Sequence, residues 1–223
     1  MAKIAGHTPT LFGEDDQERK SKETLAEGAV ILRSFAAPHG PELMQALNDV
    51  LSVSPFRHMV VRGGHRMSVA MTNCGALGWV SDETGYRYDR IDPITGRNWP
   101  TMPGVFEQLA VRAAAEGGFE SFAADACLVN RYEPGAQMGL HQDKNEVDYS
   151  APIVSVSLGL PATFLFGGAR RSDQQKRIRV ESGDVIVWGG PNRLAYHGVV
   201  KLAAGEHPLT GAFRINLTFR KAG

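Results

Sequence analysis

The sequence predicts an α+β fold that is mainly β: two helices followed by an all-β body of sandwich or barrel type. Three observations predict it. The second half of the chain is a series of short apolar runs, ACLVNRY, PIVSVSLGLP, ATFLFG, RIRVE, DVIVWG and AFRINLTFR, punctuated by Gly, Pro and Asp. Short strands with regular breaks indicate a sandwich or barrel. Two earlier segments carry helical periodicity instead. Finally, 223 residues with 43% hydrophobic and 22% charged side chains suit one globular unit with a sizeable core.

Taken in order, residues 1–26 are polar and charge-rich and read as a flexible arm, leaving 27–223 as a single domain. PELMQALNDVLS (41–52) reads as a helix with Pro41 near its start and Leu43, Met44, Leu47, Val50 and Leu51 on one stripe. MPGVFEQLAVRAAAEGG (102–118) is a second helix, opened by Pro103 and stopped by Gly117-Gly118. Between them, residues 56–100 are rich in Gly, Tyr, Trp and turn dipeptides, which suggests short strands and hairpins outside the core. The β body runs from about 125 to 220.

No apolar run approaches the roughly 18–20 residues of a membrane span, so no membrane partner is expected. The N-terminus lacks an apolar signal core, and two cysteines make no disulfide framework, so a cytoplasmic location is the expectation. Formal net charge is zero, so a nucleic-acid partner would need a local patch. RHMVVRGGHR (57–66) and RRSDQQKRIR (170–179) offer such runs, which serve either as solvated faces or as phosphate contacts.

In LHQDKNE, His141 and Asp143 stand at i and i+2, so an extended backbone aims both side chains the same way. AYHGVV supplies His197 as a third ligand. Two histidines and one carboxylate with open positions are the arrangement of non-haem Fe(II) oxygenases. An H-x-D pair alone is weak; its weight comes from the last strand. In GAFRINLTFR, Phe213, Ile215, Leu217 and Phe219 fall on one face, and Arg214, Asn216, Thr218 and Arg220 on the other. The same parity sets Asn130 and Tyr132 together on an earlier strand. Two arginines, two amides and a phenol suit a small dicarboxylic acid. A solvated edge strand would give the same alternation.

Together with SPFRHMV, MSVAMTNCGALGW, DACLVNRYEPGA, APIVSVSLGLPATFLFGG and GDVIVWGGPNRLAYHGV, these residues resemble the AlkB family of Fe(II)- and 2-oxoglutarate-dependent dioxygenases. The resemblance runs from about residue 27 to the C-terminus. It implies a double-stranded β-helix, or jelly-roll, with a nucleotide-recognition lid at about 56–100. It implies Fe(II) held by His141, Asp143 and His197, with 2-oxoglutarate and O2 as cosubstrates. Arg214 would pair with the far carboxylate, and Leu128, Asn130, Tyr132, Asn216 and Arg220 would complete that pocket. The implied reaction is oxidative demethylation of N-methylated bases such as 1-methyladenine and 3-methylcytosine, releasing formaldehyde, succinate and CO2. The implied partner of a monomeric enzyme is alkylated DNA, single-stranded or with the base flipped out, with RNA as the alternative substrate.

On the substrate side, Trp79 would stack on the base, with Met67, Met71, Tyr86 and Tyr88 lining the lid and Arg171 at the base site. From the residue alone, a hairpin core residue is the commoner role for Trp79, and the family resemblance reverses that. One position departs from the family pattern: Asn145 stands where an aspartate is usual, which implies an altered preference among methylated bases. A metal-binding barrel without catalysis is the other reading. The two arginines of the last strand argue against it.

Overall fold

The structure is a computed structural model that describes residues 21–223. The chain opens with strands β1 (Lys22–Ala26) and β2 (Ala29–Leu32), then helix α1 (Gly40–Val53). Strands β3 (Arg57–Val60), β4 (Arg66–Gly75), β5 (Gly78–Asp82) and β6 (Gly85–Asp89) follow, then helix α2 (Gly104–Glu116). The body comprises β7 (Ala126–Tyr132), β8 (Met138–His141), β9 (Ile153–Gly159) and β10 (Ala162–Phe166). It ends with β11 (Lys176–Val180), β12 (Val185–Trp188), β13 (His197–Val199) and β14 (Arg214–Arg220).

Eight strands form one antiparallel sheet in the order β1-β2-β12-β9-β14-β7-β4-β3, and four form a second in the order β11-β10-β13-β8. The two face each other as a jelly-roll. Phe164 and Phe166 of the small sheet meet Trp188 of the large one, with ring centroids 6.0 and 6.3 Å apart. The hairpin β5-β6 stands apart from both.

Alternation gives the large sheet two different faces. Val154, Val156, Val185, Val187, Ile215, Leu217 and Phe219 point outward to one apolar cluster with Leu43 and Leu47 of α1 and Phe106 and Leu109 of α2. Phe106 meets Phe219 edge-on at 6.0 Å. Each such fully buried Leu or Phe contributes about 1.5–3 kcal/mol, so the helices act as an apolar backing for the sheet. The opposite face looks into the jelly-roll, where Ile153, Ile186 and Trp188 pack on Phe164, Phe166 and Val199.

Two sequence expectations are corrected here. The arm was expected to reach residue 26, yet Lys22–Ala26 already pair with β2; residues 1–20 lie outside the described residues. KETLA is polar because it is an edge strand, exposed over its first three residues. The hairpin region was expected to lie outside the core from 56 to 100. Instead β4 pairs with β7 from Ala70 to Gly75 and is buried from Val69 to Cys74. Within this region only β5-β6 and the loop after it lie outside the ladders of both large sheets, and even there Val80 and Trp99 are buried. Both helices match their expected spans within two residues.

Candidate active site

The site sits between the sheets. β8 ends at His141 and β13 begins at His197, and the antiparallel register sets these two residues opposite each other. Their ring centroids are 4.4 Å apart. Asp143, two residues past His141, places its oxygens 3.7 Å from Nε2 of each histidine. Ligand atoms of all three lie within 4.8 Å of one another.

The histidines are oriented by the backbone. His141 Nδ1 lies 2.8 Å from the Gly139 carbonyl, and His197 Nδ1 lies 2.9 Å from that of Ala195. A carbonyl only accepts, so each Nδ1 carries the hydrogen and each Nε2 keeps its lone pair for the centre. Burial, with the neighbouring His141, pulls the His197 pKa down to about 4, so its imidazole is neutral near pH 7. Burial alone would raise the Asp143 carboxyl, but Arg220 and the two histidines hold it well below the usual range. A carboxylate and two imidazoles whose Nε2 atoms face it are a donor set that fits a divalent transition metal.

Beside this triad runs the polar face of β14. This strand is central, paired to β9 on one side and β7 on the other, and all seven of its residues are buried. A solvated edge strand is thereby excluded. Asn216 donates to Ser155 Oγ at 2.8 Å and to the Val156 carbonyl at 3.0 Å, and Thr218 donates to Asn216 Oδ1 at 2.9 Å. Arg214 donates one hydrogen bond to Ser157 Oγ at 2.9 Å and stacks over Tyr132 at 5.1 Å. Its Nε and Nη1 are buried with no partner, as are Arg220 Nη1 and Asn130 Oδ1. Burial lowers the Arg214 pKa, the signature of a cation without its anion. An unpaired buried guanidinium is costly, and a carboxylate accepting two parallel N–H bonds removes the cost. The wall therefore fits a bound carboxylate.

Arg220 does more than line that wall. Its Nε and Nη2 donate to Asp143 Oδ2 at 2.9 and 2.6 Å, so it orients the carboxylate of the triad. The cavity between triad and wall encloses about 90 Å³. Leu128, Asn130, Tyr132, Asn216 and Arg220 line it, together with His141, Asp143 and His197. Arg214 is buried against the Tyr132 ring, next to the residues that line this cavity.

Met67, Met71 and Trp79 close the outer end of the cavity. The Asn73 side chain brackets the Trp79 backbone with two 3.0 Å hydrogen bonds. Gly78 lies against the Trp99 ring, where a Cβ would come within 2.3 Å of it. Tyr86 stacks on Trp79 at 5.5 Å and 15°, and is 51% exposed. Asn145 Oδ1 accepts from Trp79 Nε1 at 3.2 Å. Tyr88 turns away from the cavity and donates to Glu146 Oε1 at 2.7 Å. Arg171, expected at the base site, is exposed, and its guanidinium donates to the Leu140 carbonyl at 2.8 Å, one residue before His141. Within the basic runs, Arg57 is spent on buried Asp92 at 2.7 Å, while Arg62, Arg66 and Arg177 are exposed.

Sequence reasoning missed several site residues. Ser155 and Ser157 were readable, since PIVSVSLGLP alternates as cleanly as the last strand. Glu146 and Arg193 were not. They form an ion pair at 3.2 Å between side chains only 1% and 3% exposed, and nothing in either segment announces the other.

Comparison with known proteins agrees with this geometry. The model of the 2OG-Fe(II) oxygenase superfamily matches residues 28–220. The chain is 59% identical over 202 residues to the alpha-ketoglutarate-dependent dioxygenase AlkB of Escherichia coli, spanning 91% of this chain and 94% of that protein. It is 45% identical over 181 residues to the AlkB homolog of Caulobacter vibrioides, spanning 81% and 80%. Among solved structures, OsALKBH1 superposes with a TM-score of 0.78 at 30% identity, over 90% of this chain and all of that one. With two histidines and a carboxylate converging beside an unpaired arginine, and with these likenesses over nearly its whole length, the chain belongs to the AlkB family of the 2OG-Fe(II) oxygenase superfamily.

Proposed function

We propose that this protein reverses alkylation damage by oxidatively demethylating N-methylated bases, 1-methyladenine and 3-methylcytosine among them, in single-stranded or flipped-out DNA. The single observation that carries the reading is the buried Arg214, with two unpartnered donors, stacked on Tyr132 of the cavity that also holds the His141–Asp143–His197 triad. A metal site alone serves many chemistries; a metal site beside a buried carboxylate receptor serves a 2-oxo acid.

His141 Nε2, Asp143 and His197 Nε2 would hold Fe(II), with Arg220 keeping the Asp143 carboxylate ionised and aimed. When bound, iron with 2-oxoglutarate and O2 supplies the oxidation, in which the keto acid becomes succinate and CO2 and the N-methyl carbon is hydroxylated and leaves as formaldehyde. The protein's own residues do the positioning. Arg214 and Ser157 receive the far carboxylate, and Tyr132 shields that pair from water. Asn130 and Asn216 set the floor of the pocket, locked by Ser155 and Thr218. Leu128, Met67, Met71 and Trp188 make the cavity largely apolar, which keeps water from the reacting methyl group.

The base enters under Trp79, whose indole offers one face to the cavity while Tyr86 backs the other. Stacking on an aromatic is worth roughly 1–3 kcal/mol per base, and a methylated adenine or cytosine adds a cation–π term. Asn145 sits at the indole edge and tunes which base is preferred. Exposed Arg62, Arg66 and Arg177 supply phosphate contacts. The unit acts as a monomer, as one catalytic domain whose lid is the β5-β6 hairpin, in the cytoplasm; no helix among the described residues is long and apolar enough to cross a membrane.

The test is direct. Incubated with Fe(II), 2-oxoglutarate and ascorbate, the protein should remove one methylene mass from an oligonucleotide carrying a single 3-methylcytosine. His141→Ala should remove none. Succinate formed without loss of mass from DNA, but with loss from the matched RNA, would move the substrate to RNA. Neither loss nor succinate would reject the enzyme.

A further inference from the structure

Three side chains converge at the triad, and their backbones are not held alike. His141 and His197 are set by the β8-β13 ladder. Asp143 stands in residues 142–152, which lie outside any strand or helix, so this backbone needs other partners. Arg193, four residues before His197 and 3% exposed, supplies them. Its Nη1 donates to the Asp143 carbonyl at 3.0 Å and its Nε to the Ala151 carbonyl at 2.9 Å. Its Nη2 faces Glu146 Oε2 at 3.2 Å, and the guanidinium lies over the Tyr149 ring at 5.5 Å. Beside it, the Leu194 carbonyl accepts from Gln142 Nε2 at 2.7 Å.

Each nitrogen of the Arg193 guanidinium thus meets a different point of one loop. A planar fork does this; a lysine ammonium is a single nitrogen and cannot reach all three points. The work around Asp143 is divided. Arg220 aims the carboxylate, with donors 2.9 and 2.6 Å from Oδ2, whereas Arg193 fixes the backbone from which that carboxylate projects. Arg193 and His197 belong to one short segment, so the fork ties the position of the second ligand to that of the third. Glu146 offsets the buried charge of Arg193, so the clamp leaves no unpaired cation.

We propose that Arg193 is a positioning residue that presets the metal-binding geometry, by clamping the Asp143 loop onto the segment that delivers His197. The inference rests on the reading of the triad as a metal site. Residues that stand behind metal ligands commonly change affinity or activity by about 10- to 100-fold when replaced. A brace for the fold alone would support stability and leave the metal's affinity and coordination in the folded protein untouched.

Co(II) binding to the full chain separates the two, because its visible absorption reports coordination geometry and calorimetry reports affinity. Arg193→Lys keeps the charge opposite Glu146 but not the fork. It should bind Co(II) about 10- to 100-fold more weakly than the wild type, with an altered absorption spectrum. Should the lysine variant fail to fold, Arg193→Met combined with Glu146→Met removes both charges together and should show the same loss. A folded variant with wild-type Co(II) affinity and spectrum overturns the clamp, whatever its unfolding midpoint. A wild type that binds no Co(II), or a His141→Ala variant that binds it as the wild type does, overturns the metal-site reading itself, and the clamp with it.

Discussion

Strand β14 and the hairpin β5-β6 wall the same cavity from opposite ends, and they are built on opposite plans. β14 has a bonded neighbour along both edges and no exposed residue. The hairpin bonds only to itself within the sheets, and its Tyr86 is half exposed. It is pinned at a few side-chain points: Asn73 on Trp79, Ser81 on the Val60 carbonyl at 2.6 Å, Trp99 beneath Gly78, and Tyr88 on Glu146. The end that handles a dangerous oxidation is rigid and over-determined. The end that must admit substrates attached to a polymer is held by contacts that can be broken singly. Reaction geometry and substrate choice are therefore separable in this molecule.

That separation can be broken or sharpened by substitution. The largest effect is expected from His197→Ala, which removes a buried ligand and should abolish both metal binding, read by calorimetry, and succinate formation. Phe106→Ala attacks the backing of the sheet rather than the site. It should cost about 3–5 kcal/mol in denaturant unfolding, because the ring is fully buried against Phe219. Trp79→Ala should raise the KM for a methylated oligonucleotide by about 1–3 kcal/mol, roughly 5- to 150-fold, with 2-oxoglutarate affinity within twofold. Gly78→Ala should act in the same direction but less, since the Cβ meets the Trp99 ring and shifts the hairpin without removing the stacking surface. Should either lid variant impair 2-oxoglutarate binding as strongly as oligonucleotide binding, the two ends would not be separable.

The same contrast decides what could be read in the sequence. β14 was legible because its two faces are both buried but differ in kind, so parity alone sorts Ile215 and Leu217 from Arg214 and Asn216. The triad was legible because His141 and Asp143 are adjacent in an extended segment, and His197 followed from the chemistry they need. Lid boundaries were not legible. MSVAMTN reads like a hairpin strand because Gly, Tyr, Trp and turn dipeptides surround it, yet it is buried from Val69 on, where it packs into the sheet beside β7; the buried face is set by a partner remote in sequence. A basic run likewise shows charge, but not which arginine reaches the carbonyl beside His141, as Arg171 does. Glu146 and Arg193 stayed hidden because an ion pair between distant segments leaves no local pattern.

The central claim is that the polar face of β14 receives a dicarboxylate. Titrating 2-oxoglutarate into the Mn(II)-loaded protein tests it, with Arg214→Met as the comparison. Losing one partner of a buried, hydrogen-bonded charge pair costs about 2–5 kcal/mol, so the variant should bind at least roughly 30-fold more weakly while keeping its metal. Equal affinity in wild type and variant would contradict the account, because the buried guanidinium would then be paired with nothing the enzyme uses.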